Sequence, residues 1–174
     1  MVLEKINSPE DLKQCSMGDL NILAEEMRNF LIERASKHMG HVGPDLGFVE
    51  ATIALHRVFD TPKDKIVFDV SHQTYPHKML TGRKKAYMEE ASYDEVGPYT
   101  DPKESPYDLF SIGHTSTSID LALGLAKARD LLSGTEKVVA VIGDGSLSGG
   151  MALEGLSNAG EQESQLLIIL NDNE

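Results

Sequence analysis

Two wholly apolar runs, Val138–Ile142 and Leu166–Leu170, stand either side of a stretch of small, helix-compatible residues, and a third β-rich run, Ile66–Val70, lies upstream. Runs this short, bounded by polar residues and glycine, read as strands buried on both faces. Ser116–Leu132 reads as a helix, with Ile119, Leu123, Ala126 and Leu131 broadly on one side, and Leu147–Asn158 reads as another. Strands that alternate with helices pair in parallel, because each connection must cross back over the sheet. The expected architecture is α/β: a parallel β-sheet sandwiched by helices.

Upstream of the first strand the periodicity is helical. Ser16 and Asp19 have capping-box spacing, and Leu20, Leu23, Met27, Phe30, Leu31 and Arg34 recur on one face as far as about His38. Two glycines and a proline break the pattern over His38–Asp45, and a second helix is expected from Leu46 to near Phe59. Ser71–Gly82 is polar and reads as a connecting segment. Arg83–Glu90 reads as a short exposed helix whose Arg83-Lys84-Lys85 run faces solvent, and Ser92–Gly113, with three prolines, reads as a long functional loop. His56 falls inside a helix and reads as a cap on the edge of the core. Cys15 has no nucleophile pattern around it and reads as inert.

The chain has 174 residues, with 16 Lys and Arg against 28 Asp and Glu, a net charge of −12. That balance argues against a nucleic-acid partner or an anionic membrane surface. It leaves room for a local anion site built from backbone N–H groups. A lone cysteine excludes a disulfide framework and a cysteine-rich zinc site. No apolar run approaches the roughly 18 residues of a membrane span, and Met1–Leu12 lacks the apolar core of a secretory signal. The expectation is a cytoplasmic chain, 1–174, forming one domain that is itself incomplete.

Gly143-Asp144-Gly145-Ser146 follows directly on the second strand, and Asn171-Asp172-Asn173 on the third. Ligands of parallel sheets gather beyond the carboxyl ends of the strands. Adjacent strands would bring Asp144 and Asn173 to one edge, where a carboxylate and an amide carbonyl are hard oxygen donors suited to Mg²⁺. Gly145 permits close backbone approach, and a helix starting at Leu147 would add N–H groups. A dinucleotide site is the rival reading, but Ser148 stands where its third glycine is needed. A tight strand-to-helix turn without a ligand is the plain alternative for Gly-Asp-Gly alone. His41, His72, His77 and His114 fall in loops or at helix starts. Gly113-His114-Thr115-Ser116 opens a helix and forms a second candidate anion seat. Zinc held by three loop histidines is a further alternative, although no local spacing such as H-E-x-x-H supports it.

Taken together, these strings resemble a known family. Gly143-Asp144-Gly145 with Asn173 resembles the thiamine-diphosphate signature of transketolase-like enzymes. The strings from Asp69 to Arg83, Gly113 to Ile119 and Gly149 to Glu154 narrow the resemblance to the N-terminal part of 1-deoxy-D-xylulose-5-phosphate synthases, over about Leu20–Glu174. The resemblance implies a thiamine-diphosphate-binding domain and a transferase reaction. Pyruvate and glyceraldehyde 3-phosphate condense to 1-deoxy-D-xylulose 5-phosphate with loss of CO₂, feeding isoprenoid, thiamine and pyridoxal synthesis. It further implies Asp144 and Asn173 as Mg²⁺ ligands, and Gly145 and Ser146 against the diphosphate. His72, Gly113, His114 and Thr115 would lie against the cofactor, and His41 would move protons on the substrate side. The complete enzymes are homodimers.

Four departures bear on the acceptor: Ser71 where the family has glycine, Val96–Thr100 for a Gly-Phe-Pro stretch, Thr115 for serine, and Asp120 for a small residue. The resemblance further implies a pyrimidine-binding domain, with the glutamate that activates thiamine, and a C-terminal domain, both expected to lie outside these 174 residues. By itself the chain is expected to be inactive. The alternative is a non-catalytic, cofactor-binding half of a split transketolase-like enzyme that needs a partner subunit.

Overall fold

A computed structural model describes residues 1–172. The chain forms two compact units, one from Met1–Asp60 with His72–Pro98, the other from Thr61–Ser71 with the chain from Tyr99 onward.

The first unit is helical. Its longest helix, Met17–Lys37, starts where the capping-box spacing places it: the Asp19 N–H donates to Ser16 Oγ at 3.2 Å, and the Ser16 N–H donates to Asp19 Oδ2 at 3.0 Å. The face at i, i+3, i+4 and i+7 buries Leu20, Leu23, Ala24, Met27, Leu31 and, unusually, Arg34. A short turn of helix, Gly43–Gly47, precedes the helix Val49–Val58. The core joins these helices to Leu3, Ile6, Leu12, Tyr75, Met79, Leu80 and Tyr87.

Three expectations for this unit need correction. The polar stretch after the first strand is a buried core element, helical over Tyr75–Lys78 and continuing through Met79–Arg83 with a kink at Thr81 and Gly82. Two of its buried polar groups find internal partners, which makes their burial tolerable: Thr81 Oγ1 donates to His77 O at 2.7 Å, and Lys78 Nζ donates to Gly97 O at 2.9 Å. The basic run is not a solvated face, since Lys84 Nζ donates to the carbonyls of Leu3 and Ile6 and to Asn7 Oδ1, tying down the N-terminus. Helix Lys85–Met88 buries Ala86 and Tyr87. His56 is fully buried rather than at an edge, and its Nε2 lies 2.9 Å from Nδ1 of the stacked His77 ring.

The second unit is the α/β body. Strands β1 (Lys65–Phe68), β2 (Val138–Gly143) and β3 (Leu167–Asn171) form a parallel sheet in the order β1-β2-β3. The register pairs Phe68 with Val141 and Gly143 with Asn171. β2 is central and buried along Val138–Ile142, as a run apolar on both faces requires. Helix Ser118–Leu131 packs Ile119, Ala122 and Ala126 with Val67, Val138, Ala140, Ile142 and Ala152. Leu131, expected on that face, is exposed.

β1 stops at Phe68, two residues short of the expected end. Val70 and Ser71 adopt φ of +57° and +66°, the left-handed region that terminates a strand. The left-handed φ at Ser71 is the conformation that favours glycine. Serine is held there by its hydroxyl, which donates to Ile112 O and accepts from the Thr100 N–H, both at 3.0 Å. The long segment after residue 98 lacks helix and strand up to Ser118 but is internally bonded, for instance Thr100 Oγ1 to Phe110 O at 2.9 Å and the Asp101 N–H to Asp108 Oδ2 at 2.9 Å.

Candidate functional site

The β2–β3 register puts the residues that leave both strands on one carboxyl edge of the sheet. Asp144 is the first residue past β2. Its carboxylate is exposed and has no hydrogen-bond or ion-pair partner among the described residues. The helix expected from Leu147 begins at Asp144, runs only to Leu147, breaks at Ser148-Gly149 and resumes as Gly150–Gln162. Gly145 and Ser146 therefore lie within the first turn. Among the described residues, a Cβ built on Gly145 meets no heavy atom within 4 Å apart from its chain neighbours and its own helix backbone, so its backbone is open to a ligand. Asn173, expected opposite Asp144, lies outside the described residues.

The second candidate loop, Gly113-His114-Thr115, is exposed and ends where helix Ser118–Leu131 begins. The helix starts two residues later than expected. Ser116 has φ +69°, and the buried carboxylate of Asp69 accepts the N–H of Ser116 at 2.8 Å and of Ser118 at 2.9 Å. The chain's own carboxylate thus occupies this helix start, satisfying one of its orphan N–H groups, that of Ser118, together with the N–H of Ser116 just ahead of the helix. Ser116 also brings the two loops together. Its hydroxyl donates to Ser146 O at 2.6 Å, and a Cβ on Gly149 would lie 1.9 Å from that hydroxyl oxygen. A cleft of about 300 Å³ runs beside this loop, lined by Gly113, His114, Thr117, Asp120, Leu121 and Met151. Burial, with the nearby charge of Glu154, raises the Asp120 carboxyl above the ordinary aspartate range.

In the helical unit His41 and His72 meet. Their rings are 5.4 Å apart, edge to face at 77°. The Tyr75 ring lies 6.2 Å from His41, and the His41 N–H donates to the Tyr75 hydroxyl at 3.3 Å. Burial lowers the His41 pKa, favouring the neutral imidazole. His77, expected in a loop, belongs instead to the buried pair with His56. Among the described residues no three His, Cys, Asp or Glu side chains are grouped to hold a metal, and no helix is long and apolar enough to cross a membrane.

The residues at the β2 edge fit the groups that the sequence resemblance implies. Asp144 offers an unengaged hard oxygen donor, and the adjacent backbone at Gly145 is unobstructed. Four residues of this region and of the histidine pair escape a reading of the sequence: Asp69, Arg34, Asp45 and Tyr75. Arg34 carries the clearest signal, a charged residue on an apolar helix face. Its guanidinium carbon sits 5.1–5.4 Å from the ring centres of Tyr75, Tyr87 and Tyr93, and it donates to the carbonyls of Ala86 and Tyr93. Asp69 directly follows an apolar strand, where a buried carboxylate must find donors.

Comparison with known proteins agrees with this geometry. A family model described as 1-deoxy-D-xylulose-5-phosphate synthase matches residues 3–174. Proteins named 1-deoxy-D-xylulose-5-phosphate synthase from Carboxydothermus hydrogenoformans and Brevibacillus brevis are each 51% identical, over 99% and 100% of this chain. One from Thermus thermophilus is 50% identical over 100% of it. The chain spans 28% of the length of each of these curated relatives. An α/β body with its loops gathered at the carboxyl edge of a parallel sheet, matched almost end to end, places this chain in the 1-deoxy-D-xylulose-5-phosphate synthase family.

Proposed function

We propose that the chain supplies the thiamine-diphosphate and Mg²⁺ end of the active site of a transketolase-type transferase. The reaction is the condensation of pyruvate with glyceraldehyde 3-phosphate to 1-deoxy-D-xylulose 5-phosphate and CO₂. The observation that carries this reading is the meeting of the Asp144–Ser146 turn with the Gly113–Ser116 loop at the β2 edge, tied by the Ser116–Ser146 hydrogen bond.

Asp144 and Asn173 hold the metal. Gly145 and Ser146 present backbone to the diphosphate, and Gly113, His114, Thr115 and His72 lie against the cofactor. Thiamine diphosphate, when bound, supplies the electron sink that makes decarboxylation of a 2-oxo acid accessible. His41, held neutral by burial, accepts a proton at neutral pH and returns it during the condensation. The complete enzyme works as a cytoplasmic homodimer serving isoprenoid, thiamine and pyridoxal synthesis. The 174 residues tested by themselves give the cofactor site without turnover, a reading supported by their 28% share of the relatives' length.

The test is Asp144→Ala in the enzyme that contains this segment, with thiamine diphosphate titrated calorimetrically in the presence and absence of Mg²⁺. The variant is expected to lose the Mg²⁺-dependent part of the affinity. An affinity equal to the parent's overturns the metal assignment.

A further inference from the structure

We infer that Tyr75 is a positioning residue: its hydroxyl is the stop against which the Gly40–His41 backbone rests, and it thereby sets His41 against His72. The inference rests on the reading of those two histidines as reaction-facing groups, and adds the part that holds them.

The contact is direct. The His41 N–H donates to the Tyr75 hydroxyl at 3.3 Å, and a Cβ on Gly40 would lie 2.7 Å from the same oxygen and 3.3 Å from Tyr75 Cε2. Only glycine lets the chain pass there. Tyr75 is itself immobilised. It is 3% exposed, and its N–H donates to Asp45 Oδ1 at 2.8 Å. The Arg34 guanidinium carbon lies 5.2 Å from its ring centre, and the Tyr87 ring packs at 5.3 Å. Arg34 is fixed in turn by its hydrogen bonds to Ala86 O at 3.1 Å and Tyr93 O at 3.0 Å. His72 stands just ahead of the Tyr75–Lys78 helix on the same stretch of chain. Two residues of backbone, Gln73 and Thr74, therefore separate His72 from the residue whose hydroxyl locates His41. The charged and titratable groups around this junction include His72 and Tyr75 beside His41, with Arg34, Asp45 and Tyr87 behind Tyr75.

The experiment uses ¹³C-histidine-labelled protein and Tyr75→Phe, which keeps the ring and its stacking and deletes only the oxygen. In the variant the His41 ring signal is expected to move, and its pKa to rise toward the ordinary histidine range as water reaches the loosened loop. The exposed His114 serves as the unmoved reference. A titration of His41 identical to the parent's overturns the inference, because loss of general stability does not move one histidine alone. A second variant keeps the test independent of that reading. Gly40→Ala is expected to displace His41, and adding Tyr75→Phe, which removes the atom at 2.7 Å, is expected to restore part of the parent signal. Additive damage in the double variant counts against the proposal.

Turnover in the enzyme that contains this segment separates the two layers. Tyr75→Phe is expected to lower kcat on the order of tenfold with little change in KM, as a small misplacement of a proton-transfer group does. If Tyr75→Phe shifts the His41 titration while His41→Ala leaves turnover intact, the positioning holds and the functional reading of His41 falls. If His41→Ala abolishes turnover while Tyr75→Phe changes neither titration nor rate, the inference falls and the functional reading holds.

Discussion

Asp45 is the most exacting point at which to test this structure. It is fully buried, its Oδ1 accepts the Tyr75 N–H, and its Oδ2 has no hydrogen-bond partner among the described residues. Burial pushes its carboxyl up from 3.8 to about 8, against the smaller opposing pulls of the Tyr75 hydrogen bond and of Arg34. The folded protein therefore keeps a proton that the unfolded chain releases across this window. The stability that comes with the bound proton is fully present below the unfolded value and is lost as pH climbs to the folded one. Each pH unit within the window removes about 1.4 kcal/mol. Asp45→Asn keeps the shape and the acceptor but has no proton to lose. Its stability advantage over the parent should widen by about 2.7 kcal/mol between pH 5 and pH 7. With a urea slope of about 2 kcal/mol per M, the gap between the two midpoints should widen by about 1.3 M. Urea titrations of both proteins at the two pH values, followed by circular dichroism, measure this directly, and every other carboxylate cancels in the comparison. A midpoint gap that is the same at both pH values would mean that Asp45 is ionised in the folded protein, and the reasoning about its burial would be refuted.

Two further outcomes are expected. Ser71→Ala should cost about 2–4 kcal/mol, because Ile112 O and the Thr100 N–H lose a buried partner, while Ser71→Gly should be milder by about 1 kcal/mol because it relieves the left-handed φ of +66°. Denaturant midpoints of the pair settle the ranking, and an alanine variant more stable than the glycine variant would contradict it. Gly149→Ala should cost about 1–3 kcal/mol by driving a methyl into Ser116 and breaking its bond to Ser146, and Ser116→Gly in the same chain should recover part of that loss in a thermal melt; a double variant no better than Gly149→Ala alone would show that the contact is not the cause.

The regular elements of this fold were legible because their signals are local. Ser16 and Asp19 are three residues apart and announce the start of the Met17–Lys37 helix. The Val138–Ile142 run can hardly be anything but a central strand. Counting Arg34 among the apolar positions of its helix also placed it on the correct face, although nothing in sequence told that three tyrosines would receive it. What stayed hidden depends on residues far apart in the chain. Asp69 takes the N–H groups of Ser116 and Ser118, and that pairing, with the left-handed φ at Ser116, moves the helix start from the expected residue. His56 reads alone as a cap on the core edge and His77 as a loop residue, and both are buried with their ring nitrogens 2.9 Å apart. In the candidate site, glycine-rich composition marked the Asp144–Ser146 turn and the Gly113–Thr115 loop. Ser116 reads there as part of an anion seat, and its bond to Ser146, a residue distant in the chain, has no local signal.

The tethering of the Gly113–Thr115 loop has a consequence for the heat of binding. Its base is secured on one side by the two hydrogen bonds to Asp69 and on the other by the Ser116–Ser146 bond and the close approach to Gly149. A segment that had to order itself around a ligand would give up conformational entropy at that moment and would show the large negative heat-capacity change of coupled folding. Here the ordering is completed when the chain folds, by a carboxylate that never leaves. A ligand arriving at the loop meets a surface that is already set, so calorimetry over a range of temperatures should record the small heat-capacity change of rigid docking, with no cost for ordering the loop.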